Sequence, residues 1–118
     1  MLFFGTRARN TNFEATLNHP FAAQVVGGLV FRRAAADCFE VSFLCVAASH
    51  GGIGVGSTLV DKLAALARRR RVARVVTHAD EAAVSFWAEH GFAKAPVPKT
   101  LDKWINHYSA STFMALAP

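Results

Sequence analysis

The sequence has only two cysteines, Cys38 and Cys45, too few for a disulfide framework. Both fall in or beside a run that reads as a strand, which predicts buried thiols in a reducing compartment. No apolar run is long enough to span a membrane. The opening Met1-Leu2-Phe3-Phe4 is too short for a signal-peptide core and meets Gly5 and Arg7 at once. An intracellular soluble protein without membrane attachment is expected. The five histidines are scattered, and no pair has metal-ligand spacing on a common face, so no metal is expected. Internal repeats and low-complexity linkers are also lacking. Acidic residues are few, 8 against 13 basic ones, and the net charge is +5. That balance points to an anionic partner: a phosphorylated cofactor, a nucleic acid or a phospholipid surface would each satisfy it.

What is present is apolar bulk. Hydrophobic residues make up 53% of the 118, with ten Phe and two Trp. This supports a packed core, excludes a disordered chain and corresponds to one small domain.

Phe13 to Leu17 reads as a strand, with Asn18-His19-Pro20 as a turn. Val25 to Phe31 reads as a second strand, whose Gly27-Gly28 pair hints at a bulge or a close backbone approach. Arg32 to Asp37 then forms the connection of a hairpin. Phe39 to Ala47 is the next strand. Simple alternation puts Phe39, Val41, Phe43 and Cys45 on one face and Glu40, Ser42, Leu44 and Val46 on the other. A helix follows from Ser57 to about Arg69, with Leu59, Val60, Leu63, Leu66 and Ala67 as its apolar stripe. Val72 to Thr77 is a strand. Asp80 caps a helix from Glu81 to His90, and Gly91 ends it. Phe92 begins a further strand, Pro96 and Pro98 break the chain, and Ser111 to Leu116 is the last strand.

The glycine-rich turn from His50 into the helix is the most informative stretch. Gly51 to Thr58 matches a P-loop except that Ser57 holds the lysine position, which argues against nucleotide hydrolysis. A dinucleotide fingerprint fails as well, because its third glycine falls on Ser57 or Leu59. What remains is a strand, a turn rich in amides and a helix N-terminus. That arrangement binds a pyrophosphate through backbone N–H groups and the helix dipole. A plain strand-to-helix turn is the other reading of the glycines alone.

Gly51-Gly52-Ile53-Gly54-Val55-Gly56 resembles the pyrophosphate loop of the GNAT acetyltransferases, Gln/Arg-x-x-Gly-x-Gly/Ala. Further segments narrow the resemblance to the general-control-nonderepressible/PCAF type of histone acetyltransferase. Val25 to Arg32 looks like the strand before their catalytic strand, and Glu40-Val41-Ser42-Phe43 is similar to Glu-Ile-Val-Phe. Thr77-His78-Ala79-Asp80-Glu81 resembles Thr-Tyr-Ala-Asp-Glu/Asn, and Phe86-Trp87 with Gly91-Phe92 resembles Tyr-Phe followed by Gly-Phe. Pro98-Lys99-Thr100, Trp104-Ile105-Asn106-His107-Tyr108 and Thr112-Phe113-Met114 resemble Pro-Lys-Thr, Tyr-Ile-Lys-Asp-Tyr and Thr-Leu-Met. The likeness runs from about residue 24 to 116. It departs at Gly51, where the family has Gln or Arg, and at His78, where it has Tyr. Residues 1–23 would be a divergent or truncated N-terminal part of the domain and 24–118 its core.

The resemblance implies an α/β (α+β) GNAT fold, a mixed and mostly antiparallel sheet flanked by helices. It implies transfer of acetyl from acetyl-CoA to a protein lysine, with a histone-tail peptide as acceptor, a nuclear location and a multiprotein chromatin complex. Glu40 takes the position of the catalytic glutamate. It sits within an apolar strand, where desolvation would push a carboxylate toward the range of a working base. A solvated strand-end glutamate is its other reading. Backbone groups of Leu44, Cys45 and Val46 would hold the pantetheine arm and polarise the thioester. Gly51, Gly52, Ile53, Gly54, Val55, Gly56, Ser57 and Thr58 would hold the pyrophosphate. Ala82, Ala83, Phe86 and Trp87 would line the far side of the coenzyme, with helix packing as the alternative for the two aromatics. Cys45 could be an acyl-accepting nucleophile, but it is expected to be core. His107-Tyr108 would meet the acceptor peptide or form a surface loop. Two rival functions stay open. One is an inactive GNAT-fold module that binds CoA or a protein partner. The other is a basic nucleic-acid-binding domain built on Arg68-Arg69-Arg70-Arg71 and Arg74, a run that also reads as a solvated helix end.

Overall fold

A computed structural model describes residues 2–7, 12–15 and 23–118. The strands are β1 (Leu2–Arg7), β2 (Asn12–Ala15), β3 (Ala23–Ala35), β4 (Cys38–Val46), β5 (Arg74–Ala79), β6 (Ala93–Lys94) and β7 (Thr112–Leu116). They form one sheet in the order β2-β1-β3-β4-β5-β7-β6. The helices are α1 (Val55–Arg69) and α2 (Val84–Glu89). Every neighbouring pair of strands is antiparallel except β4 with β5. Parallel neighbours cannot be joined by a tight turn, and α1 supplies the crossover.

The core has two layers, one on each face of the sheet. On one face Leu29, Phe39, Val41, Val75 and Met114 pack beneath Leu59, Val60, Leu63 and Ala67 of α1 and Trp87 of α2. On the other, Ala34, Cys38, Val76 and Phe113 are covered by Leu101 and Ile105. Pro98 to Ile105 thus folds back over the sheet, pinned by Leu101 N–H to the Pro98 carbonyl (2.9 Å) and Ile105 N–H to the Leu101 carbonyl (3.2 Å).

The hairpin differs from its sequence reading. β3 does not end at Phe31 but continues to Ala35, so Arg32 to Ala35 is strand and only Ala36-Asp37 turns. Two irregularities interrupt the β3–β4 ladder. Val30 faces Phe43 while Phe31 faces Val41, so Ser42 is an extra residue on β4. Such a bulge reverses the alternation beyond it. Leu44 and Val46 therefore pack on the face of Phe39 and Val41, while Phe43 and Cys45 emerge on the other face and are exposed. The expectation of a buried Cys45 is overturned by that single residue. Cys38, by contrast, is fully buried.

Other boundaries shift by a few residues. The predicted strand at Phe13–Leu17 appears as Asn12–Ala15, and the Asn18-His19-Pro20 turn lies outside the described residues. The strand expected at Val72–Thr77 runs from Arg74 to Ala79. The helix expected from Glu81 opens with a 3-10 turn, Glu81–Ala83, before α2. Asp80 caps it as predicted, accepting from Ala83 N–H at 2.9 Å, and Gly91 follows at φ +87°. The strand begun by Phe92 is only Ala93–Lys94. Arg68 to Arg71 are exposed at the end of α1, as a solvated helix terminus should be.

Candidate active site

The single parallel pairing creates the central cleft. β4 and β5 are in register only from Cys38/Arg74 to Val41/Thr77. Beyond that the strands part, and β4 runs on from Ser42 to Val46 with no β5 partner. The wedge is a cleft of about 230 Å³, lined by Val41–Leu44 on one side, Thr77–Asp80 on the other, and Ala83, Phe86 and Trp87 at its end. The edge of β4 facing it carries backbone groups that an extended ligand can pair with, as an added strand would.

Glu40 lies one residue before the strands separate. It is 2% exposed, and both oxygens are engaged. Arg32, directly opposite on β3, places Nε 2.8 Å from Oε1. Asn106 donates its backbone N–H to Oε2 at 2.9 Å and its side-chain amide to Oε1 at 3.4 Å. Arg32 also donates to the Trp104 carbonyl. Burial strips water from the carboxylate, and these donors replace it. The solvated-glutamate reading is thereby excluded. Neither Arg32 nor Asn106 was singled out beforehand. The extension of β3 that sets Arg32 opposite Glu40 was hidden by reading Arg32 to Asp37 as a loop.

His78 of β5 is on the same face as Glu40 and lines the cleft. Burial lowers its pKa below the usual imidazole value of 6.5, and His107 adds to this, while the Glu40 carboxylate and the Asn106 backbone act the other way. Its ring contacts Tyr108, Phe113 and His107 at centroid distances of 5.6, 5.4 and 6.1 Å. Phe43, Trp104 and Tyr108 stand exposed on the surface.

The glycine turn builds a second space of about 410 Å³, lined by Val46, Gly51, Gly52, Gly54, Val55, Gly56, Ser57 and Phe86. The helix starts two residues earlier than predicted, so Val55 and Gly56 belong to its first turn. Gly54 is the N-cap at φ +85°, a conformation that favours glycine. No side chain caps the helix, and no acid sits in its first turn. The leading N–H groups and the positive end of the dipole are therefore left for an anion, and the arrangement fits a coenzyme's pyrophosphate. A Cβ at Gly52 or Gly54 would meet nothing within 4 Å, so open space lies over the turn. Ser57 Oγ is 3.0 Å from Nε2 of His90, which comes from the end of α2.

Of the predicted coenzyme residues, Leu44, Ala83, Phe86 and Trp87 line the cleft. Val46, Gly51, Gly52, Gly54, Val55, Gly56 and Ser57 line the second space, and Phe86 borders both. Ile53, Ala82 and Cys45 are exposed and line neither. Thr58 does not line either space; its hydroxyl turns back to the Gly54 carbonyl at 3.0 Å. Trp87 is mostly core, stacked edge-on against Phe92 at 4.9 Å. Val41, Ser42, Phe43, Thr77, His78, Ala79 and Asp80 complete the cleft lining and were not predicted as site residues. The divergence of a parallel pair leaves no local sequence signal.

Comparisons agree with this architecture. The crystal structure of Tetrahymena GCN5 superposes with a TM-score of 0.73 at 26% identity, covering 88% of this chain and 66% of that one. A Mycobacterium tuberculosis protein solved in complex with CoA gives 0.69 at 23% identity, covering 88% and 74%. N-acetylglutamate synthase from Neisseria gonorrhoeae, complexed with coenzyme A and N-acetyl-glutamate, gives 0.67 at 22% identity, covering 80% and 23%. The chain thus spans just under two thirds of the GCN5 chain and about a quarter of the synthase. The profile of the Acetyltransferase (GNAT) family matches residues 7–92, and the chain belongs to that family.

Proposed function

We propose that this chain is an acetyl-CoA-dependent N-acetyltransferase that acts on a protein lysine, with a histone tail as acceptor. The observation that carries the reading is Glu40, a carboxylate buried one residue short of the point where β4 and β5 separate. A lysine amine has a pKa near 10.4 and is almost entirely charged at neutral pH, so a base must take a proton before it can attack. Glu40 is that base. The coenzyme supplies an activated acetyl group and a thiol leaving group. The unpaired edge of β4, Ser42 to Val46, holds the pantetheine arm and polarises the thioester carbonyl. The first turn of α1 holds the pyrophosphate. The amine attacks directly within a ternary complex.

The histone acceptor, the nuclear location and a chromatin complex follow from the motifs at Pro98-Lys99-Thr100 and Trp104 to Tyr108, and from the likeness to GCN5. The likeness to a synthase that acetylates glutamate makes a small amino acid the competing acceptor. One observation favours a second reading, a CoA-binding module without turnover. Both oxygens of Glu40 are already bonded, and Gly51 offers the coenzyme no side chain.

Thiol release from acetyl-CoA with a histone-tail peptide, less a no-peptide control, tests the reading. Glu40→Gln is expected to keep coenzyme binding and to slow release by on the order of 10²–10⁴-fold. Unchanged release removes Glu40 from the chemistry. Tight binding with no release supports the module, and release driven by free glutamate instead of peptide moves the acceptor class.

A further inference from the structure

The positive charge of the chain is gathered at one end. The last two residues of α1, Arg68 and Arg69, and the two that follow, Arg70 and Arg71, are all exposed. The N–H groups of Ala73 and Arg74 then both bond the Asp37 carbonyl, at 2.8 and 3.1 Å, which ties the end of α1 to the turn between β3 and β4. Arg33 braces the same turn. Its guanidinium bonds the Ala36 carbonyl at 2.5 Å and lies 5.3 Å from the centre of the Phe39 ring, on the face that α1 covers. Arg74 stands at this end as well, half-buried and in register with Cys38. Six of the 13 basic residues thus meet one of the 8 acids, Asp37, an excess equal to the whole net charge of +5.

Nothing within the chain accounts for this excess. Among the described residues none of the six arginines forms an ion pair. A helix C-terminus carries about half a negative charge, which one cation satisfies. The remaining cations repel one another, a cost that an anionic partner removes. The glycine turn opens the other end of α1, about 20 Å away at 1.5 Å per residue. At low ionic strength, where screening extends over about 30 Å, the excess also draws a coenzyme toward the chain, but it offers that coenzyme no contact. A lysine-bearing acceptor is repelled here.

We propose that this end binds double-stranded nucleic acid through its phosphates, without regard to sequence. Guanidinium pairs with phosphate oxygens two at a time, and the cluster is arginine throughout. Adjacent cations suit a duplex, which carries one negative charge per about 1.7 Å of its axis. Other polyanionic surfaces need groups that this end lacks. A membrane surface calls for apolar side chains beside the cations, and a single strand calls for exposed aromatics on which its bases stack. The exposed large apolar side chains, Val25, Phe43, Ile53, Trp104 and Tyr108, all lie on other segments.

The inference depends neither on Glu40 nor on the coenzyme. Fluorescence anisotropy of a labelled DNA duplex of arbitrary sequence, titrated with the full chain between about 50 and 200 mM salt, tests it. The expected Kd is about 10⁻⁵ M, with log K falling against log salt at a slope of about −3 to −4, as neutralising about four phosphates requires. A variant with Arg68→Gln, Arg69→Gln and Arg70→Gln leaves Arg71 and its positive φ in place. Its affinity should fall about tenfold or more and its slope flatten by about 2–3. Its rise in melting temperature with CoA at physiological salt should equal that of wild type. Absence of duplex binding, or wild-type affinity and slope in the variant, overturns the inference. Tighter binding to phosphatidylserine vesicles than to duplex overturns it in favour of a membrane, and equal competition by poly-glutamate in favour of an acidic protein. Loss of the CoA response together with duplex binding makes the arginines part of the coenzyme site and overturns it too. Should the triple variant not fold, Arg33→Gln carries the test: a slope flatter by about 1 supports the inference, and an unchanged slope overturns it.

Discussion

Cys38 and Cys45 occupy one strand, yet solvent reaches only the second. Burial pushes the Cys38 thiol up to about 11. At pH 8 about one molecule in a thousand would then carry the thiolate there, and reagent access is blocked as well. A disulfide-exchange reagent at pH 8 should label Cys45 rapidly in the native protein and Cys38 only after denaturation. Rapid labelling of both thiols would contradict the fold around β4. The sign of the linkage follows from the raised value. The neutral Cys38 thiol favours the folded state below its ordinary value of 9.0, and that preference is lost as pH climbs toward about 11. Neither thiol's environment follows from composition. Cys38 was legible because it starts a strand whose alternation holds, while Cys45 lies beyond Ser42, where alternation fails.

Close approach of elements is decided at Gly27. A Cβ there would stand 2.7 Å from Cγ1 of Val55 and 3.0 Å from the Cys45 carbonyl oxygen. One contact is with backbone of β4 and cannot rotate away. The other is the first residue of α1, whose position sets the glycine turn. Gly27→Ala should therefore destabilise the protein by about 1–3 kcal/mol, as overpacking does, and should weaken coenzyme binding in step. Urea unfolding with an unchanged m-value measures the first effect and titration calorimetry the second. A change within about 0.5 kcal/mol would mean that α1 shifts freely over β3.

The glycine pair in a β-former run announced that approach from sequence alone. The stripe of α1, the Asp80 cap and the Gly91 stop were equally legible, because each rests on local chemistry. What local chemistry could not carry was pairing at a distance. The Ser42 bulge depends on what faces β4. The parting of β4 from β5 depends on two strands far apart in sequence. The stop of α1 is also not a glycine. Arg71 takes φ +55°, held as Val72 N–H bonds the Ala67 carbonyl at 2.9 Å.

At the scale of the molecule, the net charge of +5 and the uncapped start of α1 point to the same partner, a phosphorylated coenzyme. A coenzyme lying in the two spaces would touch the edge of β4, the first turn of α1 and Phe86, which borders both. A ligand bound only by the folded form at 100 times its Kd stabilises it by about 2.7 kcal/mol. For a domain of this length the melting temperature should then rise by on the order of 10 °C. The rise should shrink as salt increases, since the phosphates meet a basic protein across solvent. Glu40→Gln should show the same rise as wild type, because Glu40 lines neither of the two spaces. Thermal melts with and without CoA, at two salt concentrations, measure all three effects. No rise with saturating CoA would remove the coenzyme from the reading and with it the proposed transfer. A rise that vanishes in Glu40→Gln would instead place the carboxylate in coenzyme binding, and its role as the base would fall.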